Sequence, residues 1–350
     1  MSCDILVVGA GPAGGAAALA AVRKGMRVLV AEKRRSVGVP VQCAEFIPAM
    51  MLGSINTGRS FIAQSVRYMK THISGVPVKE TRAPGFIIHR NLFDQALIQA
   101  AIESGAELIV STRAVQLTDN QTILLKQKSG QHISVNAQII IGADGPRSTV
   151  GRWVGTVNRN MLPGIQVTLP LVEPMDWTEI YLDPEFYAGY GWLFPKNNVA
   201  NIGVGMKKSN SNPKKIRSAL DRIIARLVAE GKVTGRPIRC TAGWIPLEPV
   251  RQAVHGNVVL VGDAAGHTHP ISGAGIYNAV ICGEMAGRWA AKAVQKGNVN
   301  LLKHYDEQWQ DLLQDTFDRA RQRRRTMESG WQNFSSIIRS CWIAFREYYG

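Results

Sequence analysis

A glycine-spaced turn between two buried strands limits this chain to few folds. Residues 4–8 (DILVV) are a short apolar run, followed by Gly9-x-Gly11-x-x-Gly14, an Ala-rich stretch over 12–24, and a second apolar run at 27–31. Apolar runs of that length read as strands covered on both faces. The stretch between them, with Pro12 at its first turn, reads as a helix. Together they form a β-α-β unit, and so a parallel sheet. The glycines permit a tight turn and bring backbone N–H groups close to a pyrophosphate at the positive end of the helix. Glu32 closes the second strand, where a carboxylate accepts hydrogen bonds from ribose hydroxyls and repels the extra phosphate of NADP. The site therefore suits FAD or NAD.

A chain of 350 residues predicts two domains or one large core with an added layer. With 45% apolar and 19% charged residues it can bury that core and is not disordered. Its net charge of +15 favours anionic partners: phosphorylated substrates, acidic lipid surfaces or nucleic acid. Nucleic acid is set aside, because the basic residues are not interleaved with a stacking platform or a groove-reading motif. Cys3, Cys43, Cys240, Cys282 and Cys341 are widely spaced and make no Cys-x-x-Cys pair. They fit a reducing compartment and suggest no zinc site. The first strand begins with no basic leader before it, and the longest apolar region, 5–22, is interrupted by glycines and a proline. No secretory signal or spanning helix is expected, and a cytoplasmic location follows.

Further along, residues 66–90 read as three short strands separated by Ser74-Gly75 and Pro84-Gly85. Asn91 is expected to cap a helix with Leu92, Ala96, Leu97 and Ala100 on its apolar face, ending at Gly105. Strands fill 106–142 and 161–206, and a helix starts at about Pro213 with Ile216, Leu220, Ile223 and Leu227 as its stripe. Residues 207–239 hold ten basic and two acidic residues, a solvated helix face in the plainer reading and a guide for anionic head groups in the sharper one. A buried strand at 257–261 leads to a helix over 275–294. Beyond 301 the pattern is helical, with Arg319, Arg321, Arg323, Arg324 and Arg325 clustered. Trp331, Phe334, Ile338, Cys341, Phe345 and Tyr348 share one face, expected to pack on the body of the protein rather than on a membrane.

Two later strand ends identify a resemblance. Ile140-Ile141-Gly142-Ala143-Asp144-Gly145-Pro146-Arg147-Ser148 and Gly262-Asp263-Ala264-Ala265-Gly266 resemble the Asp-Gly and Gly-Asp motifs of FAD-dependent enzymes with the para-hydroxybenzoate-hydroxylase fold. Tyr190-Gly191-Trp192-Leu193-Phe194-Pro195-Lys196, followed by Gly203, is similar to the signature of geranylgeranyl reductases. Pro40-Val41-Gln42-Cys43-Ala44-Glu45 matches that family's cysteine loop, with Ala44 where many members have Gly. The resemblance covers residues 4–300. It implies an α/β fold of the glutathione-reductase type 2 kind: a Rossmann-like FAD-binding domain (1–65, 87–155 and 246–297), a mixed-sheet substrate domain (66–86 and 156–245) and C-terminal helices (298–350). It also implies contacts to FAD from Gly9, Gly11, Ala13, Gly14 and Glu32, from the loop residues Cys43 and Ala44, and from Asp144 and Gly145. Arg90 would touch the flavin chain, Ala114 would lie near adenine, Asp263 would hold the ribityl chain, and Pro270, Gly273, Gly275 and Ile276 would form the turn and helix start beside the isoalloxazine.

The implied activity is saturation of C=C bonds in an isoprenoid chain. An isolated alkene is reduced by a flavin hydride only when it lies flat on the ring, water is excluded and a proton reaches the other carbon. Tyr190 and Trp192 alternate along a strand and share a face. They wall a tunnel or fill the core between sheet and helix. Cys43 is a candidate for placing the flavin or relaying a proton. His267 is a candidate for proton traffic, and with His269 it lacks the further ligands a metal needs. Substrate candidates are a polyprenyl diphosphate or another isoprenoid lipid, with NAD(P)H or ferredoxin as transient electron donor. Peripheral contact with the inner membrane surface is also expected. Two alternatives stand beside this reading: an aromatic hydroxylase on the same fold, and a non-catalytic flavoprotein at a membrane surface.

Overall fold

Two eight-stranded sheets organise the chain in the computed structural model, which describes residues 1–54, 57–207 and 214–350. The centre of the first sheet runs Val258–Leu260, His132–Gly142, Ser2–Val8, Val28–Ala31 and Glu107–Ile109, every pair parallel. Thr122–Gln127 joins His132–Gly142 antiparallel and carries Thr112–Leu117 on its other edge. Ile5, Leu6, Val7, Val30, Ile140 and Ile141 are fully buried, because layers cover the sheet on both sides.

One of these layers packs unusually close. All eleven residues of the helix Pro12–Val22 are buried, between Arg90–Glu103 and Ile276–Gln295. Alanine and glycine leave the backbones room to meet: a Cβ on Gly283 or Gly287 would strike the carbonyl oxygen of Ala13 or Ala17.

The helix Arg90–Glu103 begins one residue before the expected Asn91 cap, with His89 as N-cap. The Arg90 N–H is already taken by the Glu45 carboxylate at 2.9 Å, so a distant loop does the work of a local cap. The buried side is Phe93, Asp94, Leu97, Ile98 and Ala101, while Leu92 is exposed. Of the expected face Leu97 is buried, Ala96 and Ala100 are partly buried against the core, and Leu92 falls outside it.

The second sheet runs Arg239–Pro246, Met161–Pro170, Val199–Gly205, Tyr190–Lys196, Trp177–Leu182, Ile62–Ile73, Val76–Ile88 and Phe46–Pro48. Only the pair Trp177–Leu182 with Ile62–Ile73 is parallel. Where three short strands were expected over 66–90 there are two long ones. Pro84-Gly85 does not interrupt the second, because the register slips between Val66/Gly85 and Tyr68/Arg82, and Pro84 falls in a bulge where no ladder N–H is needed.

The helix Lys214–Ala229 seats Leu220, Ile223 and Leu227 on this sheet, with Ile216 half-buried. The expected start at Pro213 lies outside the described residues. Much of the basic stretch is paired: Arg217 with Asp221, Arg222 with Glu185, Arg226 with Glu230 and Lys232 with Glu179. That is the solvated-face reading.

The tail forms Lys303–Ser329 and Phe334–Cys341. Phe334, Ile338, Cys341, Phe345 and Tyr348 are buried against Ile180 and Trp192, so the stripe packs on the body. It is not one continuous helix, because the chain turns extended at Trp342. Part of the arginine cluster is internal: Arg324 donates to the Pro270 and Ala188 carbonyls at 2.6 and 2.9 Å, and Arg323 to that of Tyr348 at 3.1 Å. Among the described residues no helix is long and apolar enough to cross a membrane.

Candidate active site

The sheets meet over a cavity of about 950 Å³ that reaches from the glycine loop to Trp342 and Ile343. Its polar end is built by strand ends and helix starts of the first sheet. Gly9 has φ +103°, a conformation that suits glycine, and a Cβ there would strike the Ala143 carbonyl. Gly11 has open space beside it. The helix Pro12–Val22 has neither a side-chain cap nor an acidic residue in its first turn. The same is true of Ile276–Gln295, which starts at Gly275. Two helix N-termini are thus left with unmatched N–H groups at the cavity, where an anion would complete them.

Carboxylates mark the rest of this end. Glu32 is held by the N–H groups of Ala10 and Arg34, both at 2.9 Å, with lone pairs left for hydroxyl donors. Asp263 accepts from Thr268 Oγ1 at 2.8 Å, and burial pushes its carboxyl above the usual range. Arg90 lines the wall and grips Asp94 through Nε at 2.7 Å. Burial pushes the Asp94 carboxyl up, against the pull of that guanidinium. These features fit FAD: a glycine cradle a Cβ would fill, uncapped helix starts for the pyrophosphate, and Glu32 for a ribose.

Of the residues expected to touch the cofactor, Gly9, Gly11, Ala13, Glu32, Cys43, Ala44, Arg90, Ala114, Asp144, Gly145, Asp263, Gly273, Gly275 and Ile276 line this one cavity. Gly14 and Pro270 do not. Gly14 packs against the Gly9 carbonyl, and Pro270 presents its carbonyl to Arg324. The Asp144 carboxylate faces its own chain, accepting from the Thr149 N–H at 2.6 Å and from Ser148 Oγ, and so fixes the start of the short helix Thr149–Trp153.

The other end is apolar. Tyr190 and Trp192 share one face of their strand with ring centroids 5.8 Å apart, and Trp342 lies 4.9 Å from Tyr190. Met69, Ile165, Ile180, Phe194 and Ile245 complete the lining. The Tyr190 hydroxyl donates to the Ser272 carbonyl. Cys43 stands between the two ends; its Sγ accepts the Glu45 N–H at 3.2 Å, and burial pushes the thiol up, so it keeps its proton at neutral pH.

His267 does not reach this space. It is fully buried against Trp309 at 4.7 Å, both ring nitrogens lack hydrogen-bond partners among the described residues, and burial lowers it to about 3. Proton traffic through it is ruled out by placement. His269 serves its own turn, its Nδ1 accepting the Ser272 N–H at 3.1 Å.

Sequence reasoning did not single out Gln166, and named Glu45 and Lys196 only within longer motifs. Gln166 and Glu45 line the cavity, and Lys196 pairs with Glu45. Gln166 and Thr168 are the polar residues of a largely apolar strand, and a buried amide needs partners.

A parallel sheet with a glycine loop, two uncapped helix starts and a carboxylate at the second strand end defines a dinucleotide-binding protein, and the comparisons with known proteins make it a FAD-dependent oxidoreductase. Residues 2–320 match the family described as FAD binding domain, and the chain belongs to it, among the geranylgeranyl reductases. It is similar to digeranylgeranylglycerophospholipid reductase 1 of Methanopyrus kandleri, with 34% identity over 339 residues, 92% of this chain and 90% of that protein. To the digeranylgeranylglycerophospholipid reductase of Methanothrix thermoacetophila it is 35% identical over 334 residues, 89% and 84% of the two chains. The crystal structure of a geranylgeranyl bacteriochlorophyll reductase-like protein from Thermoplasma acidophilum superposes with a TM-score of 0.84 at 27% identity, covering 95% of this chain and 91% of that one. The crystal structure of PqsL from Pseudomonas aeruginosa, at 16% identity and a TM-score of 0.72, shares the fold.

Proposed function

We propose that this protein saturates C=C bonds in the isoprenoid chain of a membrane lipid, of the kind named for its archaeal relatives. One observation carries the reading: the cavity that cradles a dinucleotide continues into an apolar chamber walled by Tyr190, Trp192 and Trp342. When bound, FAD supplies the two electrons of each saturation as a hydride.

The chain's own residues do the rest. Gly9, Gly11 and Ala13 hold the pyrophosphate at the helix start, Glu32 a ribose, Arg90 and Asp263 the ribityl chain, and the backbone at Ala114 the adenine. Gly273, Gly275 and Ile276 border the flavin ring. The first sheet thus serves the cofactor and the second the substrate. Tyr190 and Trp192 press an isoprenoid chain flat and keep water out, which a hydride acceptor without a polar handle requires. Cys43 Sγ holds a proton at the junction of the two ends. The net charge of +15 favours the anionic surface on which such a lipid lies, and a nicotinamide nucleotide or ferredoxin would supply electrons there.

The test is anaerobic incubation of the FAD-loaded protein with dithionite and a digeranylgeranylglycerophospholipid, followed by mass spectrometry. A gain of two hydrogens for each bond is expected. Rapid oxygen uptake with an aromatic substrate, and no change in the lipid, would replace this reading by the hydroxylase.

A further inference from the structure

We propose that Gln166 is a positioning residue for this reaction, registering the Cys43 loop against the Trp192 indole. The proposal rests on the reductase reading for its consequence and on geometry for its substance. Gln166 lies on Met161–Pro170 in the second sheet, is buried, and lines the cavity. Its Nε2 donates to the Cys43 carbonyl at 3.1 Å, and its Oε1 accepts from Trp192 Nε1 at 2.9 Å. A carbonyl only accepts and an indole N–H only donates, so these partners fix which way the amide faces. A carboxylate would set an acceptor against the Cys43 carbonyl, and an apolar side chain would leave both groups unmatched.

The indole at the far end of this bridge is itself held flat. Trp192 pairs across the sheet with Gly203, and a Cβ there would run into the indole ring. Gly164 and Gly205 lie beneath the rest of the ring, with their Cβ positions 3.8 and 3.7 Å from it. Three glycines on two paired strands form a bed for the ring. With the indole resting on that bed, its N–H can only point along the sheet, and Gln166 meets it there.

The loop at the near end is anchored at Glu45, whose carboxylate meets Lys196, Asn201 and the Arg90 N–H, while the Cys43 carbonyl itself is held by Gln166. The Ala44 carbonyl accepts from Asn201 Nδ2 at 3.4 Å, a long contact, and Glu45 takes a positive φ of 74°. Gln166 is the short link between the group that holds a proton, Cys43, and the wall against which the alkene lies. A shift at either end changes the reach from thiol to alkene, to which such reactions are sensitive.

The test uses the full chain, with and without FAD, in a Cys240→Ser background. Cys3, Cys282 and Cys341 are buried, so maleimide labelling then reports Cys43. Gln166→Leu is expected to speed labelling about fivefold, the effect of one lost hydrogen bond on a local opening equilibrium. On isoprenoid lipid it should lower kcat with little change in KM and leave more partly saturated product. Gln166→Glu should behave the same way. Should Gln166→Leu not fold, Trp192→Phe removes the other half of the bridge and is expected to raise labelling less. Unchanged labelling in the folded variants overturns the proposal. If the wild-type protein reduces no isoprenoid, the reductase reading fails, and the labelling rates still decide the role of Gln166.

Discussion

The Lys196 ammonium lies 2.7 Å from the Glu45 carboxylate, joining the end of the aromatic strand to the cysteine loop. Both side chains are largely shielded, at 14% and 4% exposure. Glu45 also accepts from Asn201 Nδ2 and from the Arg90 N–H, each at 2.9 Å. One carboxylate thus ties together the loop, the second sheet and the start of a helix from the first layer.

Lys196→Met should therefore leave a buried charge without its partner, lowering unfolding free energy by about 3–5 kcal/mol. Chemical denaturation of the flavin-free protein measures this. The double variant Lys196→Met/Glu45→Gln should recover most of the loss, because no uncompensated charge then remains. If it is no more stable than the single variant, the pair is not what holds the loop.

Asp263→Ala should lose the yellow cofactor while the protein stays soluble, since the carboxylate sits at the cavity wall and, among the described residues, accepts a hydrogen bond from Thr268 alone. Absorbance of the purified protein after incubation with excess FAD gives the answer. Full retention of flavin would remove Asp263 from the site.

Cys43→Ser should keep flavin and lower lipid reduction, by about 10²-fold or more if the thiol is the positioned proton donor. Turnover equal to wild type would reduce this residue to packing.

The pH dependence of stability follows from His267. Its folded-state value of about 3 lies below the ordinary 6.5, so between these values the unfolded chain binds the extra proton. Stability contributed by the neutral, buried ring is complete above pH 6.5 and is lost as pH falls towards 3, by up to about 1.4 kcal/mol for each pH unit. His267→Leu should flatten the profile across that window. His269, lowered to about 4 by burial and by the Arg324 charge, should keep a second contribution of the same sign over the narrower window from 6.5 down to about 4. An unchanged profile in denaturation experiments at several pH values would show that His267 is not the group responsible.

Much of this protein is legible in one dimension. The glycine loop, Glu32, the strand ends at Asp144 and Asp263, and the shared face of Tyr190 and Trp192 are all local patterns, set by the period of a strand or by a turn only glycine makes. What the sequence hides is supplied across distance. Asn91 looked like a cap because nothing nearby reveals that Glu45 reaches the Arg90 N–H. Pro84-Gly85 looked like a break because a bulge depends on the partner strand. His267 looked like a proton carrier because its neighbour Trp309 comes from a helix of the tail. Gln166 could be noticed as a polar residue in a largely apolar strand, but its role needed Cys43 and Trp192 at its two ends.

The cavity draws its walls from Val8 to Ile343, which has a consequence for biosynthesis. The cofactor cradle is translated early, whereas Trp342 and Ile343 emerge from the ribosome after every other part of the lining. Until that segment docks, a nascent chain carries an open greasy cleft, and a stop codon or protease cut upstream of it would leave a flavin platform with no dry chamber for a hydrocarbon.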